Sequence, residues 1–598
     1  MNKLVIVVYF LILVCVSVEG QNGSKSDFMR NDPNVPDSES VFVHHNATLF
    51  FTGEYLFYKV YSINSTKHTL SKLSKIAYVE LVSEHRKSVF KHKIAINNSQ
   101  GQGDFFIPNS VSSGNYKLIA YTQRMKNIGA SSFFQADISI INPYRGNQSS
   151  IVDSEMNESA ISEITTSENN ARAITKEEDS YSEFKLLVAE QKFKKRTEVN
   201  VTFKNFIKER GFGHYSLSVR KMDAIPNFPK DNSVDFDTRI RGNDNKTNKD
   251  MPGNIKYPSE SKGSIISGKV FRKDTNVPAN DQNVAISISG QYFFFKVATT
   301  NKRGAFSFSL DTFYQSDIAT LQVVGDTRED YKIELNSPAP IAYDEISFAS
   351  FTITPSLESA IVERSINNQI ENAYFSIKPD TLRSKLPEKP FMFYEKKLRY
   401  DLDDYTRFGT MEEVFREIVK LVWTITDANG KLKIRVFENK FSTPTQNPPL
   451  LFIDGVFVQD PDDLLTYNAR KVKNITVVRN KYQFGSKDYQ GVILIETIAG
   501  DYKNQQSGDF VEDLTLFKPE PRKKYYQQKY EKPTESTTRR IPDVRTQLFW
   551  EPDIDLSDGE INFKFYTSDN PGDYEISLEG FTREGRPVSL RKVITVVD

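Results

Sequence analysis

The chain has almost no cysteine: one residue in 598, Cys15, which lies inside the first hydrophobic run. A chain cleaved after that run carries no thiol, which excludes a disulfide scaffold, cysteine-ligated zinc, thioester chemistry and a cysteine nucleophile. Net charge is also missing, since 78 Lys plus Arg balance 78 Asp plus Glu. Without a global field, binding to nucleic acid or to an anionic membrane surface is not expected. Histidine is scarce. His44, His45, His68, His85, His92 and His214 include no His-Glu-x-x-His arrangement, and the sequence contains no Gly-x-Ser-x-Gly elbow. The sequence therefore nominates no catalytic, cofactor-binding or metal-binding residue, and it reads as a non-enzyme without a cofactor. Long apolar runs are lacking after residue 20, so no transmembrane span is expected in the mature chain.

What is abundant is phenylalanine and tyrosine, 43 and 28 residues, against 2 tryptophans, 28 glycines and 26 prolines. Such a profile suits β-rich globular domains. The length suggests roughly four compact units at ~150 residues each. Lys3, the apolar stretch Leu4 to Val18 and the small Gly20 before a polar flank predict a signal peptide over residues 1–20. Its apolar core is shorter than the ~20 residues a span requires. Lipidation of Cys15 is the alternative, but it wants a small preceding residue, and Val14 is not small. An exported, cysteine-free chain of this size fits a bacterial envelope, as periplasm or outer-membrane-associated protein.

Along the chain, residues 40–145 alternate in short strands such as Tyr55–Tyr61 and Gly114–Tyr121, the pattern of a β-sandwich. Residues 146–182 are polar and acidic and read as a linker. Residues 183–226 hold a few strands, half a sandwich by themselves, and 227–262 form a second polar linker. A further sandwich is expected over 263–340. Between 390 and 505 the pattern is mixed: Thr410 with Glu413 forms a capping box that opens Val414, Phe415, Ile418, Val419 and Val422 at helical spacing. Residues 535–598 return to alternation and predict a C-terminal sandwich. The fold class is thus mainly β, several β-sandwich (Ig-like) domains plus one α+β domain.

The α+β stretch carries Pro449-Leu450-Leu451-Phe452-Ile453-Asp454-Gly455-Val456, then Val472–Val478, then Gln490-Gly491-Val492-Ile493-Leu494-Ile495-Glu496-Thr497. In order and spacing it resembles the plug domain of TonB-dependent receptors, with Asn474 where an acidic residue is common. Ser264–Leu335 resembles the carboxypeptidase regulatory-like sandwich. Thr52-Gly53-Glu54, Tyr78–Leu81 and Ser113–Tyr116 resemble the macroglobulin-type domain, and Arg540–Arg545 with Gly572–Tyr574 resembles the tail of the same large proteins. Together they resemble Bacteroidota envelope proteins.

Only about 100 residues follow Ile498, whereas a 22-stranded barrel needs over ~200 at about 10 per strand. Prolines 519, 521, 533, 542 and 552 also argue against strands there. The resemblance, without a barrel, implies an exported protein that binds an outer-membrane or periplasmic protein partner. Its alternative is a plug or accessory component of a TonB-dependent uptake system beside a separate barrel. The surfaces a barrel wall would have covered are expected to be free for docking. Asp553–Gly559 has an acidic spacing that is nearly a calcium loop, but its glycine falls one place late and Lys564 stands where Glu belongs, so it reads as a solvated turn. Asp401–Asp404 and Asp460–Asp463 read as turns and caps, His44-His45 as a strand end, and Phe293–Phe295 as a buried strand.

Overall fold

The computed structural model describes residues 38–146, 148, 151–152, 183–250 (side chains to 242), 255–338, 340–383, 397–427, 430–438, 446–503, 506–530 and 541–598. The signal peptide, Cys15 and nearly all of the expected linker 146–182 lie outside them. The architecture is mainly β, as expected.

In the N-terminal sandwich, Glu39–His45, Tyr55–Asn64, Thr69–Leu70 and Gln100–Phe106 form one sheet. Leu49–Phe51, Phe134–Ile141, Gly114–Tyr121, Ile76–Ser83 and Ser88–Ala95 form the other. Phe42, Leu56, Val79, Leu81, Leu118 and Ile138 fill the space between them. The expected linker 227–262 is not one throughout, because helix α1, Ser233–Asp250, lies within it. Asn232 starts it, its side-chain oxygen accepting from the N–H groups of Val234 (3.0 Å) and Asp235 (2.8 Å). Phe236, one of few apolar residues there, packs at 5.3 Å on Phe42 and commits the helix to this core.

The segments 183–226 and 535–598 are not two domains but halves of one sandwich. Glu198–Asn205 pairs with Phe184–Val188 on one side and with Glu560–Tyr566 on the other, Val201 opposite Phe563. Gly213–Lys221 lies between Gln547–Leu556 and Gly572–Thr582. The physical reason is that Val199, Val201 and Phe203 need a facing apolar sheet, and Tyr574, Ile576 and Leu578 from the far end of the chain supply it. Pro552 stands inside a strand after all. That strand is at the edge of its sheet, and its register breaks between the pairs Leu217–Glu551 and Tyr215–Ile554, where a missing N–H costs nothing.

The middle sandwich comprises Ser264–Arg272, Ala305–Leu310 and Tyr331–Leu335 against Asn283–Ile288, Phe294–Thr299 and Ile318–Val324. Val511–Thr515 returns from beyond the α+β module to pair with the last of these. In the α+β module, Lys397–Asp401, Val472–Phe484, Lys487–Thr497, Leu450–Ile453 and Val456–Val458 form one mixed sheet in that order. The Thr410–Glu413 capping box is present, but its helix ends at Glu417. Leu421 takes a φ of 64°, and Val422, expected in the helix, begins a strand. Asp454-Gly455 makes the tight turn, at φ 49° and 83°. The Asp454 carboxylate also accepts from the Thr497 N–H at 2.8 Å and the Thr497 hydroxyl at 2.6 Å.

The expected free face of this module is covered. Leu450, Phe452, Phe457, Val478 and Val492 form one core with Ala285, Phe295 and Val297 of the middle sandwich. Phe295 meets Phe452 edge-on at 4.9 Å. The apolar face of this sheet is thus buried against the neighbouring sandwich.

Candidate functional site at the junction of the modules

No sequence motif marked residues 341–383, yet a helix among them lines the junction of the modules. Helix α2, Glu358–Ala373, lays Arg364, Asn368 and Asn372 along one face at successive turns. Arg364 reaches Glu54 of the N-terminal sandwich with Nε at 2.9 Å and Nη2 at 2.8 Å, and Nη2 also donates to the Leu49 carbonyl at 2.9 Å. Its third nitrogen pairs with Asp223. Arg220, from the split sandwich, donates to the same Glu54 at 3.1 Å. Burial pushes the Glu54 carboxyl up, but the Arg364 and Arg220 guanidiniums outweigh it and hold the group below the ordinary carboxylate range. Three structural units therefore share one buried carboxylate.

Above this floor lies a cleft of about 180 Å3 with aromatic walls. Tyr55 stacks on Phe57 at 5.6 Å and on Phe375 at 5.5 Å. Phe57 in turn meets Tyr525 edge-on at 5.0 Å and stacks on Trp550 at 6.0 Å. Burial, with Asp104 and Asp380 nearby, pushes the Tyr55 hydroxyl up to about 12, so it stays protonated. A strap over residues 519–530 closes one side. Lys523 and Tyr525 bond Asp104 at 2.9 and 3.1 Å, Lys523-Lys524 pairs with Thr381-Leu382, and the Tyr526 N–H donates to Asp380 at 2.9 Å. The opposite side is Val544 to Trp550, running into the edge strand of the split sandwich.

Most charges around the cleft are paired. Glu371 accepts from the Val544 N–H (3.0 Å) and from Lys378 (2.6 Å), and Arg545 bonds Asp543 at 2.7 Å. Among the described lining residues no hydroxyl is hydrogen-bonded to a histidine and there is no thiol. The arrangement can hold a ligand by ring contact and by donated hydrogen bonds.

The residues weighed in the sequence lie elsewhere or play other parts. His44 and His45 end the strand Glu39–His45 and are buried. Burial above all lowers both, His45 to about 4, and the His45 Nδ1 donates to the Ala47 carbonyl at 2.8 Å. Asp553 is not in a solvated turn. Asp553 to Leu556 belong to the strand Gln547–Leu556, and Asp553 is buried against Lys59, Arg383 and Arg522. Asp460 caps the short helix Pro461–Leu465 by accepting from the Asp462 N–H. Asp403 pairs with Arg407. Phe294 and Phe295 are buried and Phe293 packs on Phe452. The signal that sequence reading missed was Arg364, Asn368 and Asn372 at four-residue spacing, a polar stripe with no visible partner in its own segment.

No family model matches the sequence, and no curated protein matches it. Solved structures similar to the chain include Escherichia coli alpha-2-macroglobulin activated by porcine elastase, at 8% identity and a TM-score of 0.23 over 94% of this chain and 44% of that one. Salmonella alpha-2-macroglobulin reacted with methylamine is similar at 10% identity and a TM-score of 0.21, over 94% and 40%. The chain thus spans under half the length of these proteins. At such TM-scores the likeness carries no argument about this one. Among the described residues no helix is long and apolar enough to cross a membrane.

Proposed function

We propose that the chain is an exported, non-enzymatic binding protein of the cell envelope, and that its junction cleft receives part of a protein partner. The observation that supports this reading is the cleft itself: an aromatic-walled recess whose floor, the Glu54–Arg364–Arg220 cluster, exists only when the modules are assembled. A recess held by rigid neighbours is suited to recognition, because little order has to be created on binding. The plug-like sheet is taken up by the middle sandwich, which favours this reading over a plug lent to a separate barrel. The resemblance to macroglobulin-type, regulatory-like and plug-like envelope domains fits the same role.

The test is photo-crosslinking in native envelopes from a reactive residue at Asn367, on the cleft wall, with the same group at the exposed Lys564 as control. A discrete protein adduct from position 367 alone is expected. Equal adducts from both positions, or none from 367, would remove the cleft from the function.

A further inference from the structure

We infer that the cleft recognises an extended, proline-containing segment with an adjacent Lys or Arg. This inference rests on the binding role proposed for the same cleft and names the chemistry of what enters it.

The first observation is the state of the acceptors. Both Glu54 oxygens and both Glu371 oxygens already accept hydrogen bonds, as do the side-chain oxygens of Asn368 and Gln547. Along this part of the lining a ligand N–H would meet acceptors that already take a hydrogen bond, at a cost in affinity, and would be left with the Asn367 and Asn372 side-chain oxygens and the open Asp380 oxygen. Donors are in better supply, because the Asn368 and Asn372 amides each carry a second N–H beyond the one bonded to Thr52 and Asn368 respectively. The cleft therefore favours a chain that offers carbonyls and few amide hydrogens. A polyproline-type segment has that property, since proline lacks the N–H and its backbone makes no internal hydrogen bonds.

The second observation is the shape of the walls. Phe375 and Tyr526 are 46% and 39% exposed, large apolar rings left open at the mouth, with the Tyr55 ring stacked behind Phe375. Flat rings suit the flat face of a pyrrolidine, and aromatic-lined grooves are a recurring way to hold polyproline segments. Stacked and open together, they are a platform rather than a closed cage.

The third is charge. Asp380 takes its hydrogen bond from the Tyr526 N–H through one oxygen, and among the described residues no side-chain cation is ion-paired with it; Lys523, whose charge acts on it, is paired with Asp104. Its other neighbours in the lining are Lys378, which bonds Glu371, and Tyr525, which bonds Asp104. A Lys or Arg next to the prolines would find this carboxylate beside open rings, a placement that supports both ion pairing and cation–π contact.

The experiment titrates the full-length mature protein with three probes by calorimetry: a ten-residue peptide alternating proline and alanine with a terminal arginine pair, its all-alanine counterpart with the same arginines, and a neutral glucan hexasaccharide. Binding of the first at least tenfold tighter than the second is expected. Phe375→Ala should weaken it tenfold or more, Asp380→Asn should weaken it several-fold and flatten its salt dependence, and both variants should keep the melting temperature, because Phe375 is open to solvent and the amide oxygen in Asp380→Asn can still accept from the Tyr526 N–H. Equal affinity for the two peptides, no peptide binding, or full affinity in Phe375→Ala would overturn the inference. Tight glucan binding lost in Phe375→Ala would overturn it too and make the cleft a carbohydrate site. A position-367 adduct with an envelope protein alongside failure of the peptide would leave the binding role standing and discard only the proline chemistry.

Discussion

Lys59 and Asp553 meet at 2.8 Å across the boundary between the N-terminal and split sandwiches, the ammonium fully buried and the carboxylate 7% exposed. Burial lowers the lysine to about 8, against the pull of Asp553, which holds it up. Arg383 and Arg522 share the same carboxylate. The pair is lopsided: the aspartate has three cations, whereas the lysine depends on one hydrogen-bonded carboxylate.

That asymmetry predicts unequal mutants. Asp553→Ala strands Lys59 in the interior and is expected to cost about 3–5 kcal/mol. Lys59→Met leaves Asp553 with two arginines and keeps the apolar stem's volume, so its cost should be less than half as large. Urea unfolding of both variants measures the difference. The reverse order would mean that Lys59 is held by something other than Asp553.

The Glu54–Arg364 pair is predicted to be strongly coupled. Arg364→Met removes two hydrogen bonds from a buried carboxylate and leaves it Arg220 as its one cation, a loss of about 2–4 kcal/mol. In Glu54→Gln the acceptor charge is already gone, so adding Arg364→Met should cost at least ~1 kcal/mol less than it does alone. Additive losses in that cycle would refute a direct interaction.

A pH effect is expected from Glu579. It lies wholly buried beside helix α1, and burial raises its carboxyl from 4.5 to about 7, although the Ser233 N–H (2.9 Å), the Ser589 hydroxyl (2.7 Å) and Arg591 pull it back down. Since the folded value is raised, the folded state holds a proton that the unfolded state has released between pH 4.5 and 7. The stabilisation is complete below about 4.5 and is lost as pH rises through about 7, on the order of 3 kcal/mol in all. Melting curves from pH 5 to 8 should show the fall, and Glu579→Gln should flatten it. An unchanged slope in that variant would assign the effect to another group.

The shared core of Phe295 with Leu450, Phe452 and Val492 predicts that the middle sandwich and the α+β module melt together. Phe295→Ala should cost about 3–5 kcal/mol and split the joint calorimetric transition in two. Two transitions in the unaltered protein would show that the modules are independent.

Much of the local structure was legible because it is written locally. The Thr410–Glu413 box, the Asp454-Gly455 turn and the apolar β-formers of Ile76–Ser83 each depend on neighbours within a few residues. What escaped was decided at long range. Nothing near Val199 and Val201 says that their partners are Phe565 and Phe563, and nothing near Arg364 points to Glu54. The extent of the helix after Thr410 was misjudged because Val422 keeps the apolar spacing, while the positive φ at Leu421 that breaks the helix has no glycine to announce it. The junction cleft shares that invisibility, since its lining is drawn from five separated stretches of chain.

The divided sandwich also sets an order of events. Gln547 hydrogen-bonds Ser218 across 329 residues of chain, and the strand Gly213–Lys221 has both of its sheet neighbours in the last tenth of the sequence. In synthesis from the N-terminus, Val199, Val201 and Phe203 emerge long before any surface exists to cover them. The N-terminal sandwich, the middle sandwich and the α+β module can each assemble while this half waits, and closure of the sandwich comes last, as the clasp on the whole chain. A product truncated before residue 547 would keep that strip of apolar side chains open, a ready mark by which a chaperone or protease tells an unfinished chain from a finished one.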